Sequence, residues 1–156
     1  MLKAALRETM PVSFDGLGPV RIGMTALQIR AAVAVPLTSD KQDFEPGCYY
    51  LHPKEDEIAF MMLKDRLGRI DVNGGRWRTF SGVGIGTTEA QVRRVHGDEL
   101  RVEPHPYDGP VGKYLIVRPR QTRYRGLELL YETDGAIVTT FRAGTKEAVS
   151  LIEGCS

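Results

Sequence analysis

Apolar and polar positions alternate with two different periods along this chain, and each period occurs twice. Ile29, Ala32 and Val33 recur at helical spacing, as do Val92 and Val95, so both stretches predict a short amphipathic helix. Each is preceded by Thr, with Gln three residues later: Thr25 and Gln28, then Thr88 and Gln91. That spacing lets the Thr hydroxyl and the Gln side chain satisfy backbone N–H groups reciprocally, so helices should start after Thr25 and Thr88. Gly23 and Gly86 stand two residues upstream, where a positive φ would let an extended lead-in turn into the helix. Pro36 bounds the first helix and Gly97 stops the second.

Strand-like runs follow each helix. The first copy reads Tyr50–Pro53, Ile58–Leu63 and Arg69–Asn73, and the second reads Ile116–Pro119, Leu127–Glu132 and Ala136–Arg142. Asp134-Gly135 between two such runs predicts a hairpin. Comparing the chain with itself strengthens the parallel. Residues 20–37 and 83–100 align at an offset of 63, with identities at seven of 18 positions: Val20/Val83, Ile22/Ile85, Gly23/Gly86, Thr25/Thr88, Gln28/Gln91, Arg30/Arg93 and Leu37/Leu100.

The predicted fold is therefore α+β. Two tandem helix-plus-three-strand units, 17–78 and 79–144, form one antiparallel sheet with both helices on one face, within a single domain that ends in a tail, 145–156. Phe60, Met62, Ile70, Val72, Leu129, Tyr131, Ile137 and Phe141 should face the helices. Asp71, Glu128, Glu132, Thr140 and Arg142 should take the other face. Met61, Leu63 and Leu130 share that second face, forming an apolar island that is either a binding surface or covered by the N-terminal segment or a loop.

The segments Ile22-Gly23-Met24-Thr25-Ala26-Leu27-Gln28 and Ile85-Gly86-Thr87-Thr88-Glu89-Ala90-Gln91-Val92, with the strands after them, resemble two groups. These are the β-lactamase inhibitory proteins and the small outer-membrane lipoprotein of the β-barrel assembly machinery. The resemblance implies a helix-and-sheet unit, used twice, that binds another protein and performs no chemistry of its own. The chain departs from the pattern in having one short helix per unit and two cysteines in all, where the tandem inhibitors bridge each unit separately.

Composition narrows the function. Apolar residues make up 42% and charged residues 26%, as in an ordinary globular chain. The balance of 21 Lys and Arg against 20 Asp and Glu argues against a nucleic-acid partner. No apolar run reaches the roughly 20 residues that span a bilayer. Cys48 and Cys155 are the only cysteines. A bond between them would hold down a polar tail and close a loop worth up to ~4.7 kcal/mol in the chain-entropy model. It would place the protein in the periplasm or outside the cell. The other reading is two unrelated thiols in the cytoplasm, which a natively leaderless start would favour. The first residues hold no apolar signal-peptide core.

No cofactor or metal motif is evident. His52 forms a lone pair with Cys48, and no second pair completes a zinc set. Cys48 and His52 are also too far apart on a strand for proton transfer, roughly 13 Å. His96 is placed at a helix C-terminus, where an imidazolium is favoured, and His105 lies in a Pro-rich loop. Gly82-Val-Gly84-Ile-Gly86 lacks the Gly-Lys-Ser/Thr ending of a phosphate loop.

The tips of the matching hairpins differ in sign. Lys54-Glu55-Asp56-Glu57 is acidic, whereas Arg120-Gln-Thr-Arg123-Tyr124-Arg125 is basic. Tyr124 with Arg120, Arg123 and Arg125 is the candidate partner-binding tip. Trp77 and the island of Met61, Leu63 and Leu130 are the other candidates. The expected function is a non-enzymatic protein-binding module of the envelope or secreted fraction, such as an inhibitor or immunity protein. An envelope assembly scaffold, or a small enzyme with a loop-borne site, is the alternative.

Overall fold

A computed structural model of the chain describes residues 2–40 and 47–155. It opens with three two-residue strands, β1 (Val12–Ser13), β2 (Gly16–Leu17) and β3 (Val20–Arg21), which pair as a small antiparallel sheet. Helix α1 (Ala26–Ala32) precedes β4 (Thr38–Ser39), β5 (Cys48–Lys54), β6 (Ile58–Leu63) and β7 (Arg66–Val72). Helix α2 (Glu89–His96) and a 3-10 turn, Gly97–Glu99, precede β8 (Leu100–Pro104), β9 (Lys113–Val117), β10 (Leu127–Thr133) and β11 (Val138–Thr145). A last short helix, α3 (Lys146–Val149), follows β11 directly.

The eight longer-range strands form one sheet in the order β4-β5-β6-β7-β11-β10-β9-β8, with every neighbouring pair antiparallel. Each half thus supplies a helix and four strands, and the halves meet where Val72 pairs with Phe141 and Ile70 with Ala143. The strands absent from the sequence-based expectation are the small β1–β3 sheet and the two edges of the large one. β4 has only two residues, and β8 reads Leu-Arg-Val-Glu-Pro, too charged to show a buried face. Pro53 falls within β5, at an irregularity in its register with β6 between Leu51 and Lys54. A residue without an N–H is tolerated there.

The helix starts are as the Thr and Gln spacing predicts. Thr25 Oγ1 accepts from Gln28 N–H while the Thr25 N–H donates to Gln28 Oε1 at 2.9 Å. The same reciprocal pair joins Thr88 and Gln91, at 3.0 Å for the return bond. Gly23 (φ +96°) and Gly86 (φ +94°) adopt the left-handed backbone that turns each lead-in toward its cap. Thr25→Ala and Thr88→Ala are each expected to destabilise the fold by about 0.5–2 kcal/mol. Urea denaturation of the two variants checks this, and an unchanged midpoint in either would show that its cap contributes nothing.

The core lies between the helices and the first face of the sheet. Ile29 of α1 and Val92 of α2 join Phe60, Met62, Ile70, Val72, Leu129, Tyr131 and Phe141 in one buried cluster. Two expectations are corrected. Ile137 is 37% exposed, because the Asp134 carboxylate accepts from the N–H groups of Ala136 and Ile137 and holds them in the turn; Val138 enters the core instead. Val95 is half exposed, and His96, one helical turn beyond Val92, is the buried residue of that stripe.

Candidate functional site

The second face of the sheet is covered unequally. After β11 the chain forms α3, whose Ala148 and Val149 are buried, and it packs on β7, β10 and β11. The tail then crosses to the first half, where Cys155 is bonded to Cys48 of β5 with a Cα–Cα distance of 5.4 Å. Thus, among the described residues, the C-terminal segment packs against part of the apolar island, with Val149 beside Leu130. Met61 and Leu130 are buried beneath or beside it, and Leu63 is half-buried.

Two buried arginines fasten this strap. Arg69 of β7 donates to the carbonyls of Ala148 and Leu151, each at 2.9 Å, and through Nε to Asp71 Oδ2 at 3.0 Å. Arg142 of β11 donates to the Val149 carbonyl at 2.8 Å and to Glu132 at 2.6 Å. Its Nη2 is buried without a hydrogen-bond acceptor among the described residues, and its guanidinium lies 5.3 Å from the Tyr114 ring centroid. The ring face offsets part of that cost. His105 completes the group by pairing with Glu132 at 2.8 Å. Burial pushes the Asp71 carboxyl above its usual range in spite of Arg69.

Beside α3, the outer strands of the second half carry a groove on the second face. Tyr114 and Ile116 of β9, Leu130 of β10 and Val149 of α3 form an apolar floor there. They line a groove of ≈ 760 Å³, with Pro104, Pro106 and Ile152 at its sides. Two ion pairs fence it, Arg101–Glu103 at 3.4 Å and Arg118–Glu128 at 3.3 Å. An adjoining basic cleft of ≈ 360 Å³ shares Arg118, Glu128 and Lys146 with the groove and adds Arg120 and Arg125. The two form one surface, apolar at one end and basic at the other.

The predicted binding residues separate accordingly. Arg120, Arg123 and Arg125 are exposed at the basic tip. Tyr124, in a 3-10 turn (Thr122–Tyr124), is half-buried, its ring 5.4 Å from Phe14 and 4.5 Å from the Arg123 guanidinium carbon. It is therefore partly an internal packing residue. Trp77 is buried, and its indole N–H donates to Glu57 at 3.0 Å. The acidic tip is thereby drawn into structural use, with Lys54 also 3.3 Å from Glu57. Sequence reasoning missed Tyr114, Ile116, Arg118, Lys146 and Val149. The alternation Tyr114-Leu115-Ile116-Val117 signals two apolar faces, but not which face is left open.

The histidines are engaged in separate places. His52 lies 3.6 Å from Asp40. His96 is buried, which depresses its imidazole pKa and favours the neutral ring, contrary to an imidazolium at the helix end. Its Nε2 lies 3.0 Å from the Tyr131 hydroxyl and 3.3 Å from Ser81 Oγ. Tyr131 is the nearer partner and also bonds Thr79 at 3.0 Å, so these groups form a polar bridge from α2 to the sheet. Among the described residues, no group of three or more His, Cys, Asp or Glu side chains is placed to hold a metal ion. No helix among them is long and apolar enough to cross a membrane.

No protein-family model and no curated protein matches the chain. Among solved structures, it is similar to the crystal structure of the uncharacterized protein yfeY from Escherichia coli, with a TM-score of 0.53 and 15% sequence identity. The match covers 86% of this chain and 99% of that one, and at this identity it is a likeness of fold alone.

Proposed function

We propose that this protein is a non-enzymatic protein-binding module of the periplasm or the secreted fraction, and that the groove on its second sheet face is the binding surface. The observation that carries this reading is the apolar lining of that groove. The second face bears a cleft in both halves, but beside the strap the first half's, of ≈ 510 Å³, is lined by polar groups such as His52, Asp71 and Arg142, whereas the second half's is an apolar groove running into a basic cleft. Apolar floors rimmed by charge mark protein-binding sites. The partner segment would carry apolar side chains for the groove and carboxylates for Arg118, Arg120, Arg125 and Lys146. The disulfide favours an oxidising compartment.

The test is capture from the native envelope fraction, followed by binding kinetics with the purified partner. Ile152→Asp, at the exposed side of the groove, is expected to weaken binding about 30-fold, the effect of losing a hot spot. Arg120→Glu should mainly slow association, and raised salt should blunt that effect. Leu27→Glu, on the far side of the molecule in α1, should bind like the wild type. If Ile152→Asp and Arg120→Glu also match the wild type, the groove is not the site.

A further inference from the structure

Among the described residues, strand β8 is an edge of the sheet. It pairs with β9, and no strand lies beyond it in the order. Such an edge turns backbone N–H and C=O groups outward, except that Pro104 has no N–H to offer. The opposite edge, β4, offers two residues, whereas β8 offers five. Its register on β9 sets Arg101 opposite Ile116 and Glu103 opposite Tyr114, which places both charges on the second face, beside the groove. Val102, opposite Leu115, stands on the first face and is 37% exposed. The Arg101 and Glu103 side chains are 46% and 45% exposed.

This short pattern is self-complementary. When two copies of β8 run antiparallel about a two-fold axis at Val102, Arg101 faces Glu103 of the second copy, and Glu103 faces Arg101. Val102 then faces Val102. A slip of two residues in either direction sets Arg101 against Arg101 or Glu103 against Glu103, and like charges directly opposite are destabilising. A slip of one residue breaks the match between faces. One register is therefore favoured, and it is closed by the symmetry commonest among homo-oligomers.

We infer that the chain forms a homodimer through β8, joining two eight-stranded sheets into one of sixteen strands. Arg101 and Glu103 border the groove, so the dimer sets two grooves side by side on one face across the axis. This association is independent of what the groove binds.

Sedimentation velocity of the purified, oxidised chain over a concentration series tests it. The expected result is a reversible monomer–dimer equilibrium. Arg101→Glu or Glu103→Arg alone sets two like-charge pairs across the axis and should raise the dimer dissociation constant about tenfold or more. Mixing these two variants makes both facing pairs opposite in sign, and should restore association as a heterodimer. Val102→Lys sets two ammonium groups face to face and should abolish the dimer, while circular dichroism reports that the fold persists. A chain that stays monomeric throughout the series overturns the inference. So does a dimer that is unchanged by all three substitutions.

Discussion

Breaking the Cys48–Cys155 bond is expected to lower the unfolding free energy by about 2–5 kcal/mol. The bond spans a sequence separation of 107 residues, so it constrains most of the unfolded chain. For a loop of this length the chain-entropy model gives about 4.7 kcal/mol as its upper value. Arg69 and Arg142 still hold the strap by its carbonyls, so the folded state gains little freedom and the loss should lie toward the upper part of the range. Urea denaturation of a Cys48→Ser/Cys155→Ser variant beside the oxidised wild type measures the difference. Thiol titration of the unfolded, unreduced protein should find none free. Two free thiols in protein from its native compartment would remove both the clasp and the case for an oxidising location.

Arg69→Met is expected to cost about 3–5 kcal/mol, the range for removing one partner of a buried ion pair. Arg69 is 4% exposed and serves four acceptors at once: Asp71, the carbonyls of Ala148 and Leu151, and the Tyr50 hydroxyl. Its loss leaves a buried carboxyl and two strap carbonyls without their donor. The double variant Arg69→Met/Asp71→Leu should recover much of the loss, since an apolar pair of similar volume removes the desolvation problem. The double-mutant cycle separates the ion pair from the fastening of the strap. If the single variant unfolds at the wild-type midpoint, Arg69 contributes nothing to holding the strap.

The helix starts were legible because a capping box is local. Thr25 and Gln28 are three residues apart and need nothing beyond their own turn to make their hydrogen bonds. The inward positions of β6, β7 and β10 were legible for a related reason: a strand alternates faces with a period of two, so Phe60 and Met62 must share a side. That regularity fails where a side chain captures the backbone. Asp134 does so at Ile137, and the periodic pattern gives no sign of it. It also fails at edges, since β8 has one neighbouring strand and no buried face to select apolar residues.

The sequence by itself determined the α+β class, the six inner antiparallel strands and the starts of α1 and α2, because these follow from periods and caps within a few residues; α3 lies in what reads as a tail. It also supplied the cysteine pair, whose bond holds the tail. Tertiary structure decided the candidate site. An apolar residue on a second sheet face carries no mark of whether another segment will cover it. Met61 and Ile116 look alike as strand positions and both are buried, yet only Ile116 also floors the groove. The difference arises because a single C-terminal segment, fixed at Cys48 and fastened by Arg69, can cross toward only one half of the sheet. Where the apolar groove lies beside that segment is set by contacts between residues far apart in the chain.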